Sequence, residues 1–245
     1  MLELLDMVQA FLAEPNRWSF TEPAGIPYRL VEHLWTTAVA MVIAAVLALP
    51  PAMWLAHERR GEAIAGALVN IGRAIPSFGL IVVFVLFAIE RGNSGQFWPL
   101  VLALVALAIP PIFTNAYTGI FSVDPDLVEA ARGQGMSGGQ VFRQVELPLG
   151  TAVVLTGLRI SLVQVLATVG IGAIVTSGGG LGRYVVDGFA IGVNGYGEVF
   201  TGAVLLAGLV LAVEWVFEWL QRRLLPTGLQ VETDPDAGMT AVGGA

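Results

Sequence analysis

The 245-residue chain contains no cysteine and no lysine. The first absence excludes disulfides, thiol nucleophiles and cysteine-ligated metal centres. The second excludes a phosphate-binding loop of the GxxxxGKS/T type, whose lysine reaches the β- and γ-phosphates, so any ATP chemistry has to come from another chain. Histidine is scarce: His33 and His57 are the two, and they flank one apolar run without sharing a helix face. They make a poor metal site, and no metal, cofactor or catalytic residue is expected. Charge is scarce as well, at 13% of residues against 56% hydrophobic, about half the charged share of a soluble domain. Mean hydropathy is +0.76. No basic stretch suggests nucleic acid. These limits describe an all-α integral membrane protein rather than a soluble domain.

What the sequence does have is a series of apolar runs of bilayer length. A bilayer core takes about 20 apolar residues as a helix, and about five runs qualify. The first covers residues 30–56, with Trp35 and Trp54 near its ends as an aromatic belt places them. The second, 62–89, is interrupted by Arg73, Ala74, Ile75, Pro76 and Ser77. Pro76 has no amide donor and crowds the preceding turn, which predicts a kink or break. The third is 97–120, the fourth 148–177 and the fifth 198–220. Trp98 opens the third, and Trp215 and Trp219 mark the exit of the fifth. No internal repeat is visible.

Residues 1–28 read as an interfacial amphipathic segment. Leu2, Leu5, Val8 and Leu12 recur at helical spacing with Glu3, Asp6 and Gln9 opposite, and Pro15 stops the helix. The acidic start is unlike a signal peptide. The membrane domain is taken as 29–222. Residues 223–245, poor in apolar side chains, are expected to form a disordered tail. The arginines set the orientation: Arg59, Arg60, Arg132, Arg143, Arg222 and Arg223 fall on one side, with Arg17, Arg29, Arg91 and Arg183 on the other. The paired arginines at span ends weigh most and place the 121–147 loop inside, the N-terminus out and the C-terminus in.

That loop carries dense local information. Asp124, Pro125 and Asp126 form a helix start with cap, first-position proline and an acid at the positive dipole end. Gly133 and Gly135 end this helix. Ser137 and Gln140 have capping-box spacing, with Met136 and Val141 placed as its hydrophobic staple. A second short helix is expected to run to Glu146, and Pro148 to start the next span. Small residues at Ala130, Ala131 and Gly135 would let another backbone approach closely.

Glu129, Ala130 and Ala131, then Gly135, then Val145, Leu147 and Pro148 resemble the cytoplasmic "EAA" loop of ABC importer permeases, with Val145 where that pattern usually has isoleucine. Other segments resemble permeases for glycine betaine, carnitine and choline. Residues 72–77 (GRAIPS) are similar to their "TIPS" segment, 115–120 (NAYTGI) to "NTYTGL", 157–160 (GLRI) to "GIRT", and 179–182 (GGLG) to "GGLG". His33 and Leu34 match the start of their first span. The resemblance covers about residues 30–220. It implies the transmembrane domain of a type I ABC importer, multi-pass in a prokaryotic cell membrane. Its partners would be cytoplasmic ABC ATPase subunits, an extracytoplasmic substrate-binding protein, and a second permease subunit, either identical or a sister chain. It implies quaternary-ammonium osmoprotectants as substrates. Glu129, Ala130, Ala131, Gly135, Leu147 and Pro148 would couple the ATPase.

Inside the spans, Arg159 is a costly charge that must face the bundle interior or a wet path, and Glu214 is its candidate partner. Asn115 and Gln164 are candidates for bonds between helices or for the path, and Pro76 for a kink or a path-lining break. Gly179, Gly180 and Gly182 form a flexible turn or an outer gate. A permease for methionine or another small solute would carry the same loop. A stand-alone secondary transporter is a different class, which the missing repeat disfavours. A membrane scaffold without transport predicts that changes at Glu129 or Gly135 leave uptake intact.

Overall fold

The computed structural model describes residues 2–92 and 97–224, and among these there is no β-strand. The tail expected from 223 onward lies outside the described residues from position 225, as do positions 93–96 of the polar loop after the second span. The helices are α1 (Leu2–Ala13), α2 (Ile26–His57), α3 (Glu62–Ala74), α4 (Ser77–Glu90), α5 (Phe97–Phe121), α6 (Pro125–Gly133), α7 (Gly138–Val141), α8 (Leu147–Gly172), α9 (Gly182–Ile191) and α10 (Tyr196–Leu224). Among the described residues four helical stretches are long and apolar enough to cross a membrane, and α3 with α4, bent by 90° at the break between them, adds a fifth when the pair is counted as one broken span. The bend falls at Pro76, where a helix would need the amide that proline lacks.

The core forms around α5. Lipid tails are as apolar as leucine, so helices in a bilayer associate by close packing rather than by escape from water. α2 meets this need with alanine at every fourth position: Ala40, Ala44, Ala48, Ala52 and Ala56 are buried in one cluster with Leu100, Val101, Leu104, Ala108 and Ile112 of α5. Its opposite face carries Trp35, Val42, Val46 and Trp54, all exposed, as expected of a lipid-facing surface. α5 and α8 touch through backbone. A Cβ on Gly150 would lie 2.5 Å from the Gly119 carbonyl oxygen, and one on Gly157 would lie 2.5 Å from Asn115 Cβ.

One expectation changes, and one helix was not anticipated. α1 does not simply lie at an interface: Phe11 is buried against Tyr184 of α9, with ring centroids 5.4 Å apart, and Met7 abuts Gly197 of α10. Its inward face includes Met7 and Phe11, whereas Leu5, read as part of the apolar stripe, is exposed. The glycine-rich stretch after the fourth span also contains a helix, α9. Its glycines hid the helical pattern from the sequence reading.

Candidate functional site

The segment between α5 and α8 folds as an elbow on itself. The Asp124 side chain accepts the Asp126 N–H at 2.9 Å, and Pro125 occupies the first turn of α6. The helix closes where Met136 N–H reaches back to the Ala131 carbonyl at 3.3 Å and Gly135 N–H to that of Arg132 at 2.9 Å. This closure needs a left-handed residue, and Gly135 supplies it at φ +87° without a Cβ penalty. Ser137 N–H then donates to Gln140 Oε1 at 2.7 Å as the capping box of α7. Val123, Val128, Ala131 and Val141 are buried together under Met136 and Val145. Fully burying one valine contributes roughly 1.5–3 kcal/mol, so this small cluster holds the elbow in shape.

The second elbow helix is not separate from the next span. From Gly138 the chain stays helical to Gly172, through a π-helical turn at Phe142–Glu146 in which Leu147 N–H bonds the Phe142 carbonyl. Pro148 explains the wide turn: without an N–H and with its ring set against the preceding turn, it disrupts the ordinary ladder at that point. Pro148 therefore sits inside a continuous rod rather than at its start.

The residues named for coupling divide by direction. Glu129, Ala130 and Gly135 are exposed on the outer face of the elbow, beside Leu127. Pro148 is exposed, and Leu147 is half-buried against the main core. Ala131 is turned inward, where its small side chain packs within the elbow.

A contact that sequence reasoning missed joins this segment to α2. His57 Nδ1 and Glu146 Oε2 are paired, Glu146 is fully buried, and its other oxygen has no partner. The His57 ring meets Phe142 edge-on at 5.7 Å. The available signal was a carboxylate set among Val145, Leu147 and Leu149 at the head of a span, with a histidine ending another.

Farther along the bundle, Arg159 Nη2 donates to Glu214 Oε1 at 2.9 Å and lies 3.9 Å from Glu218, which also pairs with Arg222. Arg159 is 12 positions into α8, roughly 18 Å from its start. A cavity of about 330 Å³ opens between α3, α5 and α8, lined by Gly72, Pro110, Pro111, Thr114, Asn115 and Gln164 among others. Asn115 does not bridge helices; its Nδ2 donates to the Pro111 carbonyl of its own helix at 2.8 Å. Pro76 is exposed at the bend and does not line the cavity.

At the end remote from the elbow, the glycines are closely packed against neighbouring elements. Gly180 adopts φ +53° with the space for its Cβ filled by His33, and Gly182 lies against the Gly170 backbone. His33 Nδ1 accepts the Leu181 N–H at 3.3 Å, which leaves Nε2–H to donate to the Leu166 carbonyl at 2.9 Å. Gly179 borders a second cavity of about 390 Å³ with Tyr28, Arg29, Glu32, Phe97 and Thr176. Tyr184 ties the N-terminal segment to this end, donating to the Ala24 carbonyl at 2.9 Å. Burial pushes its phenol up to about 12, so it stays a donor.

A bundle of apolar spans with one compact, exposed elbow is the architecture of a multi-pass membrane protein, and its family and relatives are permeases of the ABC importer class. The chain belongs to the family described as binding-protein-dependent transport system inner membrane component, which matches residues 40–226. It is 33% identical over 194 residues to the choline transport system permease protein OpuBD of Bacillus subtilis, covering 79% of this chain and 83% of that protein. It is 30% identical to the glycine betaine/carnitine/choline permease OpuCB of the same organism, covering 86% and 93%. Among solved structures it resembles an inward-facing chain of the MetNI methionine ABC transporter, with TM-score 0.67, 27% identity, and coverage of 81% and 95%.

Proposed function

We propose that this permease subunit carries quaternary-ammonium osmoprotectants, such as glycine betaine, choline or carnitine, into a prokaryotic cell across its inner membrane. The observation that carries this reading is the similarity to choline and glycine betaine/carnitine/choline permeases along 79% and 86% of the chain. The elbow, with Glu129, Ala130 and Gly135 outward, is the docking surface for a cytoplasmic ATPase subunit. ATP-driven closure of two such subunits moves the elbow, and the spans rock between inward- and outward-open states. A separate receptor delivers substrate at the opposite end, where Gly179, Gly180 and Gly182 pack, and a second permease subunit completes the pathway. The cavity beside Asn115 and Gln164 belongs to that path. This chain makes and breaks no bond.

Reconstitution with its ATPase and receptor in proteoliposomes tests the proposal. Labelled choline or glycine betaine should enter only with ATP and receptor present. Entry of methionine instead favours the second reading, which the likeness to the methionine transporter supports. Transport by the chain alone under an ion gradient would overturn the ATP-driven mechanism.

A further inference from the structure

The turn that ends α2 carries Arg59, the one non-glycine residue with positive φ among the described residues, at φ 54°. Arg60 N–H bonds the Leu55 carbonyl at 2.9 Å and Arg59 N–H that of Ala56 at 3.0 Å. These are the bonds of a helix closure whose left-handed position glycine normally fills, so arginine holds it against a steric penalty. Strain of this kind persists where a side chain is needed. The Arg59 guanidinium donates to the carbonyls of Phe121 at 2.5 Å and Val123 at 3.2 Å, and stacks 5.2 Å from the Phe121 ring. Those carbonyls belong to the open end of α5 and the hinge into α6, where no helical donor reaches. Two residues earlier, His57 holds Glu146 at the other end of the elbow.

We propose that Arg59 is a positioning residue for energy coupling: with His57 it clamps the elbow at both its ends, so that α2 moves with the elbow as one lever. This rests on the reading of the elbow as the ATPase-docking segment. Without the clamp, the elbow can swing at its hinge after α5 and flex at the π-helical turn before α8, and the ATPase stroke dissipates there.

The test uses the assembled permease, ATPase and receptor in proteoliposomes, with uptake and ATP hydrolysis measured together. Arg59→Gly removes the guanidinium and its two hydrogen bonds but also relieves the backbone penalty, so the two effects on melting temperature oppose each other and the net change should be small. Uptake per ATP should nevertheless fall about tenfold, within the usual range of coupling effects. Arg59→Lys, which retains a donor, should restore part of the ratio, and Arg60→Ala, at an exposed neighbour, should leave it unchanged. An unchanged ratio in Arg59→Gly overturns the proposal. If that variant melts lower, Arg59→Lys decides: a recovered ratio supports the clamp and an unrecovered one overturns it. Glu129→Arg separates the two readings. Coupling lost there but intact in Arg59→Gly refutes the clamp alone, and coupling intact in Glu129→Arg refutes the docking surface itself.

Discussion

His57 Nδ1 and Glu146 Oε2 stand 2.5 Å apart across 89 positions of sequence, joining the end of α2 to the π-helical turn before α8. Glu146 is fully buried and offers its second oxygen no partner, so His57 carries most of its compensation. Removing one member of a buried pair leaves an unpaired group, at a cost of about 3–5 kcal/mol. His57→Ala is therefore expected to destabilise strongly. Glu146→Gln should cost less, because an amide desolvates more cheaply than a carboxylate, and His57→Leu with Glu146→Met should recover much of the loss. Thermal melting of the detergent-solubilised permease orders the variants. Equal losses for His57→Ala and the double change would refute the compensation argument.

Gly135 makes a separable prediction. Its φ of +87° costs a Cβ-bearing residue about 1 kcal/mol, yet no atom lies within 4 Å of where that Cβ would sit. Gly135→Ala should thus fold with a small loss of stability while adding a methyl to the face proposed to dock the ATPase. Retention of the ATPase subunit during co-purification should drop. Gly133, at the end of α6 with equally open space and no positive φ, is the control: Gly133→Ala should be neutral in both measurements.

The elements legible in the sequence were those dictated locally. Lipid demands about 20 apolar residues per helix, so the spans were readable. Proline at position 76 announced the break, and Asp124, Gly135, Ser137 and Gln140 announced the elbow's caps. Contacts across the bundle were harder. The Arg159–Glu214 pair was accessible because two charges in apolar spans at matching depth have few other partners. His57–Glu146 was not, because each lies at a span end where charge is ordinary. Arg59 signalled orientation but not its contact with α5, since nothing in one sequence shows that a closure position is taken by arginine in place of glycine. α9 was hidden by glycines whose reason is tertiary: Gly182 and Gly188 abut the backbones of Gly170 and Gly195.

The α5–α8 contact sets the third prediction. Gly119 and Gly150 place their backbones together, and a Cβ at Gly150 would stand 2.5 Å from a carbonyl that cannot move without its helix. Gly150→Ala should separate the two helices at the elbow end and cost roughly 1–3 kcal/mol, as overpacking does. Gly66, with nothing within 4 Å of its Cβ position, should accept alanine without loss. Melting temperatures of the two variants make the comparison, and equal values would show that the contact is looser than described.

Arg159 and Glu214 sit within α8 and α10 with their side chains about one-third exposed, 32% and 37%. Charges that exposed cannot face hydrocarbon cheaply, so in the assembled importer this surface meets water in the pathway or another subunit. Arg159→Glu would place three acids together, because Glu218 is 3.9 Å from the Arg159 guanidinium, and uptake should fall sharply. Glu214→Arg should fail for the opposite reason, opposing two guanidiniums. Combining the two restores one attraction at the same depth and should recover uptake in part, with Glu218 still held by Arg222. If the double reversal transports no better than the worse single variant, the charges act individually in the pathway, and their mutual bond is incidental to transport.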